Sequence, residues 1–218
     1  MTARASRTAE PKRYDAEYFE RWYRRSAIGV GHRVFVERKV RLALAAADFV
    51  LGRPARSVLD VGCGEGTWRA ILRRLRPGIS YVGVDSSAYA IARWGRTRRL
   101  KLGGLADLER LGLARRYDLV VCADVLHYVD DAVARAGLAS MARRAVGLAF
   151  VEAFTSADAI EGDRDGFQDR SPAGYARLFA AARLLPLGLH LYVTRERAAT
   201  LVALERGACQ RPRGLRGD

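Results

Sequence analysis

The feature that most constrains the fold is a short apolar run that ends in a glycine-rich turn, VLDVGCGEGTW at residues 58–68. This pattern predicts a buried strand, a tight turn and a helix whose first backbone N–H groups are free to meet a ligand. The turn lacks the Gly-Lys-Ser/Thr of a phosphate-binding loop. Its spacing is G-x-G-x-G, because Thr67 stands where a dinucleotide-binding turn has its third glycine. The glycines alone also fit a strand–helix connection that binds nothing.

Strand and helix patterns alternate along the rest of the chain. The pattern predicts strands over 57–62, 79–85, 99–104, 117–125, 146–154, 187–196 and 199–206, and helices over 33–51, 66–75, 87–96, 130–144 and 171–184. The middle strands are continuous apolar runs, which are typical of a parallel sheet covered on both faces. The last two strands are joined by a short turn, which predicts an antiparallel hairpin. We therefore expect a doubly wound α/β fold with a mostly parallel, seven-stranded sheet.

An aromatic segment precedes this unit. Residues 14–25 place aromatic side chains at 14, 18, 19, 22 and 23, which is a helical spacing on one face. Two interpretations are open for this helix: it packs on the edge of the sheet, or it forms a lid over a ligand site, with Tyr14, Tyr18 and Trp22 nearest the pocket.

The net charge, the apolar runs and the cysteine content indicate which classes of protein fit this sequence. The 218 residues carry a formal net charge of +14, which raises a nucleic-acid hypothesis. Only three of the cations are lysines, however, and much of the excess lies at the two ends, in 4–13 and 211–217. No apolar run is long enough to span a membrane, and no signal-peptide core is present. The three cysteines lack paired or metal-ligand spacing, so we expect a cytoplasmic protein without a structural metal.

Acidic residues follow several of the predicted strands. Asp60, Glu65, Asp85 and Asp124 stand at the carboxyl ends of strands or just beyond, where an α/β sheet binds its ligand. Asp85 ends the second strand in GVDSS, where a carboxylate can accept hydrogen bonds from both hydroxyls of a ribose, while Ser86 or Ser87 can cap the next helix. Such a cluster repels a pyrophosphate. It suits a ligand with a ribose, an amino group and a positive centre, and S-adenosylmethionine has all three.

In three motifs the sequence resembles the class I S-adenosylmethionine-dependent methyltransferases. VLDVGCGEGTW resembles the glycine motif of that family, GVDSS its ribose motif, and YDLVVCADVLHYVDD, at 117–131, its strand-four motif. The resemblance covers roughly 55–206 and implies S-adenosylmethionine as cofactor and the following cofactor-binding residues: Asp60, Gly62, Cys63, Gly64, Gly66, Asp85, Ser86, Ala123, Asp124 and Val125. With it, we divide the chain into a disordered basic arm (1–13), N-terminal helices acting as a lid (14–52), a methyltransferase domain (53–206) and a disordered basic tail (207–218).

Two positions depart from the family pattern. Where relatives often carry a Gly-Asp pair after strand three, this chain has LGGLADL. Either Asp107 reaches the adenine from a shifted loop, or backbone atoms near Leu105 do so. Relatives also often place a histidine where Tyr128 stands here, and His127 comes one residue earlier. We keep His127 as a candidate general base and Tyr128 as a candidate orienting group; the alternative is that His127 packs against the cofactor or the loop.

The sequence says least about the methyl acceptor. It is expected to enter at the carboxyl ends of strands four and five, near Phe154. The segment after strand five is an acidic island, 158–169, which is either a solvated loop or the rim of the pocket. We predict methyl transfer to nitrogen or oxygen of a small molecule in bacterial metabolism. An RNA or protein methyltransferase using the Arg-rich ends, and a catalytically silent cofactor-binding protein, are the alternatives.

Overall fold

The structure is a computed structural model that describes residues 12–25, 33–160 and 162–202. Most of the predicted basic arm, all of the predicted basic tail and the second half of the last predicted strand lie outside these ranges. The domain boundaries drawn there stay predictions.

Seven strands form one sheet in the order β3-β2-β1-β4-β5-β7-β6. The strands are β1 (Ser57–Val61), β2 (Ser80–Asp85), β3 (Leu100–Leu102), β4 (Tyr117–Ala123), β5 (Ala145–Glu152), β6 (Leu184–Gly188) and β7 (Leu191–Thr194). The first five are parallel to one another, and β7 pairs antiparallel with both β5 and β6. The predicted fold class is confirmed. Because β1, β2, β4 and β5 are parallel, their carboxyl ends meet at one edge.

Helices precede, connect and flank the strands. They are α1 (Ala16–Phe19), which continues as a π-helix over Glu20–Arg25, then α2 (Arg33–Leu51), α3 (Thr67–Leu75), α4 (Ala88–Arg98), α5 (Asp131–Arg144), α6 (Pro172–Ala181) and α7 (Arg195–Ala198). Short 3₁₀ turns cover Leu105–Asp107 and Leu126–Tyr128. None of the helices in the described part of the chain has the length and apolarity needed to cross a bilayer.

Each face of the sheet buries its own core. On one face, Val58, Leu119 and Val121 pack with Ala43 and Leu72, which lie on α2 and α3. On the other face, residues of the same strands with the opposite parity pack against α5 and α6; they include Leu59, Val120 and Cys122. Apolar side chains on both faces explain the continuous apolar runs in the sequence.

The C-terminal hairpin exists, but the predicted strands 187–196 and 199–206 are wrong. Helix α6 ends at Ala181, three residues before the predicted end, and Arg183 takes a positive φ of 58°. The chain therefore turns early enough for 184–188 to form β6. Leu189 and His190, with φ of 50° and 64°, make the tight turn into β7. The side chain of Thr194 then caps a short helix, α7, where the pattern predicted strand.

Candidate active site

The glycine turn joins β1 to α3 and has a left-handed backbone. Gly62, Gly64 and Gly66 have φ of 72°, 54° and 78°. A Cβ atom at Gly62 would overlap the side chain of Val125, and one at Gly64 would lie 2.5 Å from the hydroxyl of Tyr23. The turn therefore needs glycine for its own conformation and for the close approach of its protein neighbours, in addition to any ligand.

Asp85 links this turn to the start of α4. Its carboxylate accepts hydrogen bonds from the N–H of Gly64, at 2.6 Å, and from the N–H of Ser87, at 2.8 Å. Burial raises the pKa of Asp85, while these two bonds act in the opposite direction. The helix cap is Ser87, whose hydroxyl accepts from the N–H of Ala90, and Ser86 is exposed. Asp85 is therefore not needed as a cap and lies at the carboxyl end of β2 as expected.

Asp60 is the most deeply buried acid of the site, with 2% of its surface exposed. The hydroxyl of Tyr81 donates to its Oδ2 at 2.7 Å. Burial raises the pKa of Asp60 to about 7, and the bond from Tyr81 only partly offsets this shift. Its neighbour Cys63 is buried too, and burial raises the pKa of that thiol. Asp60 is thus poised to gain or lose a proton near neutral pH.

The turn after β4 carries Asp124 and His127. Asp124 has a positive φ of 63°, and its Oδ1 lies 3.1 Å from Nε2 of His127. The other ring nitrogen, Nδ1, accepts from the N–H of Phe154 at 3.4 Å. A neutral ring with its proton on Nε2 satisfies both contacts. His127 is 1% exposed and packs against the rings of Tyr128, Phe154 and Phe167.

The N-terminal helix lies directly over the glycine turn. Tyr18 and Tyr23 line a cleft whose floor contains Asp60, Gly62 and Asp124. Just before α1, the carbonyl of Tyr14 accepts a hydrogen bond from the hydroxyl of Ser87 at 2.5 Å. Trp22 instead lies in a neighbouring groove, so Tyr23 takes the position that the sequence pattern assigned to Trp22.

Two further residues of the cleft were not singled out from the sequence. Glu152 ends β5 with 6% of its surface exposed, and its Oε2 lies 2.6 Å from Nζ of Lys39 on α2. The available signal was an acid at the carboxyl end of a long apolar run, as at Asp85 and Asp124. The partner could not be read from the sequence, because Lys39 and Glu152 are 113 residues apart.

The remaining predicted residues divide into two groups. Ala123 and Val125 flank Asp124, and Val125 contacts the glycine turn. Leu105 is buried beyond β3, and Asp107 accepts the N–H of Gly104 at 2.8 Å, so it closes its own 3₁₀ turn. Among the residues that the structure describes, no group of three or more His, Cys, Asp or Glu side chains could hold a metal ion.

A family comparison agrees with this geometry. Residues 59–146 match the sequence profile of a family described as a methyltransferase domain. The match runs from β1 through the glycine turn to the start of β5, and so includes all three of the acids Asp60, Asp85 and Asp124. No curated protein matches the chain in sequence.

Solved structures share the fold at low identity. The sugar N-methyltransferase KedS8 from Streptoalloteichus sp ATCC 53650 is 20% identical with a TM-score of 0.59, and the match covers 89% of this chain and 98% of KedS8. The O-methyltransferase NcsB1 from neocarzinostatin biosynthesis, in complex with S-adenosyl-L-homocysteine and 1,4-dihydroxy-2-naphthoic acid, is 24% identical with a TM-score of 0.50; the match covers 75% of this chain and 55% of NcsB1. An O-methyltransferase family protein from Burkholderia thailandensis is 19% identical with a TM-score of 0.48, over 74% of this chain and 57% of that one.

The chain thus spans little more than half the length of two of these relatives. Over residues 59–146 the chain is similar to a methyltransferase domain, and it shares the fold of the sugar N-methyltransferase KedS8.

Proposed function

We propose that this enzyme moves the methyl group of S-adenosylmethionine to nitrogen or oxygen of a small molecule. The observation that carries the proposal is that three acidic side chains of the site have no cationic partner among the lysines and arginines that the structure describes. Asp60, Asp85 and Asp124 surround the glycine turn, and in the part of the chain that is described none of them forms an ion pair with a lysine or arginine. Acids that are this poorly exposed call for a cationic ligand, and the cofactor carries both a sulfonium and an ammonium group.

The residues of the turn fit the cofactor in three places. Asp85 already accepts two backbone N–H groups and keeps acceptor capacity for ribose hydroxyls. Asp60 and Asp124 would face the methionine end, together with the backbone of Gly62 and Gly64. Lys39 is the one lysine that lines the cleft, and it would meet the carboxylate of the methionine moiety. The bound cofactor supplies an activated methyl group, so the protein has to position the acceptor and exclude water.

The cover over the cleft favours a compact acceptor. Tyr18 and Tyr23 lie across the glycine turn, and Lys39 and Glu152 close the side toward α2. Such an enclosed site suits a small molecule better than a folded macromolecule. The comparison proteins support the same class, since KedS8 is described as a sugar N-methyltransferase and NcsB1 was solved with a naphthoic acid.

His127 and Tyr128 have separable roles in this proposal. Both ring nitrogens of His127 are engaged, so in this arrangement it is a positioning residue for Asp124 and for the start of the loop after β5. To act as a general base, it would have to release one of these two bonds. Tyr128 donates to the carbonyl of Asp163 at 2.9 Å and turns its ring face toward the acceptor side. A cytoplasmic location completes the proposal and is supported by Cys63 and Cys122, which are buried free thiols.

The test is a methyl-transfer screen with labelled S-adenosylmethionine and the full chain. It compares amines, phenols, carboxylic acids, total RNA and a protein mixture as acceptors, with Asp85→Asn as the background control. We expect label on a small amine or phenol. Robust label on RNA or protein would overturn the small-molecule proposal, and tight cofactor binding without turnover on any acceptor would favour the catalytically silent alternative.

A further inference from the structure

The ammonium of Lys12 is enclosed by aromatic rings beside the cleft. Its Nζ lies 3.7 Å from the ring centroid of Tyr128, 5.5 Å from that of Tyr14 and 5.6 Å from that of Tyr18. It also lies 2.5 Å from Oδ2 of Asp163. The side chains of Lys12 and Asp163 are only 12% and 13% exposed. This is an unusual place for a lysine, which normally keeps its charged end in water.

The enclosure is built from three separate parts of the chain. Tyr14 precedes α1 and Tyr18 lies in it, and their rings stack edge to face with centroids 4.9 Å apart. Tyr128 comes from the turn after β4, and its hydroxyl donates to the backbone of Asp163 in the loop after β5. We call these four residues the tyrosine cage. Ring faces and one carboxylate form the chemistry that recognises an ammonium or a quaternary amine.

The tyrosine cage adjoins the cofactor cleft. Tyr18 lines that cleft together with Asp60, Gly62 and Asp124. Tyr14 contacts the start of α4, because its carbonyl accepts a hydrogen bond from the hydroxyl of Ser87. Burial raises the pKa of Tyr14 to about 12, and the charges of Asp85 and Asp163 add to this shift. A cation held in the cage would thus lie on the acceptor side of Asp124.

Lys12 lies outside the helices and strands of the fold. It precedes α1, whose cap is Asp15, so residues 12–14 can move without breaking a helical hydrogen bond. Apart from Asp163, its ammonium donates to the carbonyl of Asp165 at 2.9 Å. A free amine of similar size can make the same contacts with the rings and with the carboxylate.

We propose that the tyrosine cage binds a cationic amine of the methyl acceptor, and that Lys12 fills the cage as a competing internal cation when no acceptor is bound. This inference rests on the proposed small-molecule function. The cage anchors the acceptor through its cation, whichever nitrogen or oxygen atom receives the methyl group. Of the acidic island 158–169, Asp163 is then the residue that selects the acceptor, while Asp158 accepts hydrogen bonds from the N–H and the hydroxyl of Thr155.

The experiment uses tetramethylammonium as the probe and tert-butanol as its neutral counterpart. Binding to the full chain, saturated with S-adenosylhomocysteine, is followed by calorimetry. Lys12→Met should bind tetramethylammonium at least about tenfold more tightly than the parent, because the internal competitor is gone. Lys101→Met is the matched control, since this exposed lysine only donates to a loop carbonyl. Tyr128→Phe in the Lys12→Met background should keep the binding, and Tyr128→Ala or Asp163→Asn should lose most of it.

Equal affinity of the parent and Lys12→Met for the probe would overturn the proposal, as would equal binding of tert-butanol. Each variant is first checked for unchanged affinity for S-adenosylhomocysteine, which identifies a variant that fails to fold. Such a variant is replaced by Asp163→Asn in the parent background, which should lose most of the binding of tetramethylammonium. The failure of this inference can be distinguished from the failure of the proposed function, because turnover of a neutral acceptor without any cation binding would remove the cage and leave the small-molecule methyltransferase in place.

Discussion

His127 holds Asp124 in place: Nε2 of the ring lies 3.1 Å from Oδ1 of the carboxylate. Asp124 also has a left-handed backbone, with φ of 63°, which is energetically costly for a residue other than glycine. The same ring accepts the N–H of Phe154, so one buried side chain connects the ends of β4 and β5. The position of Asp124 relative to the end of β5 therefore depends on His127, even if no proton passes through it.

Replacing His127 should show this dependence. His127→Ala removes a buried ring with two hydrogen bonds and should destabilise the fold by about 2–4 kcal/mol. His127→Gln should keep most of the stability and leave the pH profile of kcat/KM unchanged. Thermal unfolding and kinetics measure both, and His190→Ala is the control, since that ring is 46% exposed. If His127→Gln instead loses kcat at least a hundredfold together with one limb of the pH profile, the general-base role is correct.

Asp85 should contribute directly to cofactor affinity. Asp85→Ala is expected to weaken S-adenosylmethionine binding by about 1.5–3 kcal/mol, the range for a lost hydrogen bond to a charged group, which is about 10- to 150-fold in Kd. Calorimetric titration gives the affinity, and circular dichroism checks the fold. Asp158→Ala, an exposed acid after β5, is the matched control. An unchanged affinity for Asp85→Ala would remove this residue from the site.

The raised pKa of Asp60 should make cofactor binding pH-dependent. In the free protein this pKa is about 7, so the carboxyl is largely protonated below that pH. A cationic ligand favours the ionised form, so binding releases a proton and the affinity rises with pH up to about 7, by at most about tenfold per pH unit, before levelling. Calorimetry in buffers of different ionisation enthalpy, between pH 6 and 8, counts the protons. Asp60→Asn should reduce the slope, leaving any part due to Asp85, whose pKa is also raised.

The raised pKa of Asp60 makes the stability of the free protein fall as the pH rises, whereas it makes the cofactor affinity rise. An acid with a raised folded-state pKa contributes its full stability below its unfolded value, near pH 4, and loses it as the pH rises to about 7. The unliganded protein should therefore become less stable between pH 4 and 7 at this site, and Asp60→Asn should flatten that part of the curve. A parent protein whose Asp60-dependent stability increases over this range would contradict the raised pKa.

The N-terminal helix should respond to the cofactor. Residues 14–25 cover the glycine turn, but the part described as π-helix, Glu20–Arg25, has no fully buried residue. We expect these amides to exchange quickly in the free protein and to become protected with S-adenosylhomocysteine. Hydrogen exchange by mass spectrometry measures this, and α6, which packs with α5 on one face of the sheet, is the internal control. Equal protection of 14–25 in both states would leave this helix as fixed packing.

Much of the fold could be predicted because the signals are local. The apolar runs between turns and helices place five of the strands, and the bounds of α2 agree with the prediction. The acids Asp60, Asp85 and Asp124 were found because they follow apolar runs directly. The predicted hairpin was misplaced by several residues, because the end of α6 depends on a positive φ at Arg183. Arginine is not a residue type that indicates a positive φ in a sequence.

Other parts of the site depend on contacts that no local pattern contains. A spacing of four residues aligns Tyr14, Tyr18 and Trp22 on an α-helix. The π-helical turn has hydrogen bonds five residues apart, and Tyr23 lines the cleft with Tyr18 instead. The pair of Lys39 and Glu152 is likewise formed only when α2 packs beside β5. The tyrosine cage needs three segments at once, and no one of them is unusual in sequence.

The sheet order has a consequence for self-association. The two edge strands are β3, with three residues, and β6, which contains Pro186. A strand of three residues offers few backbone groups for pairing, and proline has no N–H to donate to a further strand. In the part of the chain that the structure describes, growth of the sheet from one molecule into the next is therefore disfavoured at both edges.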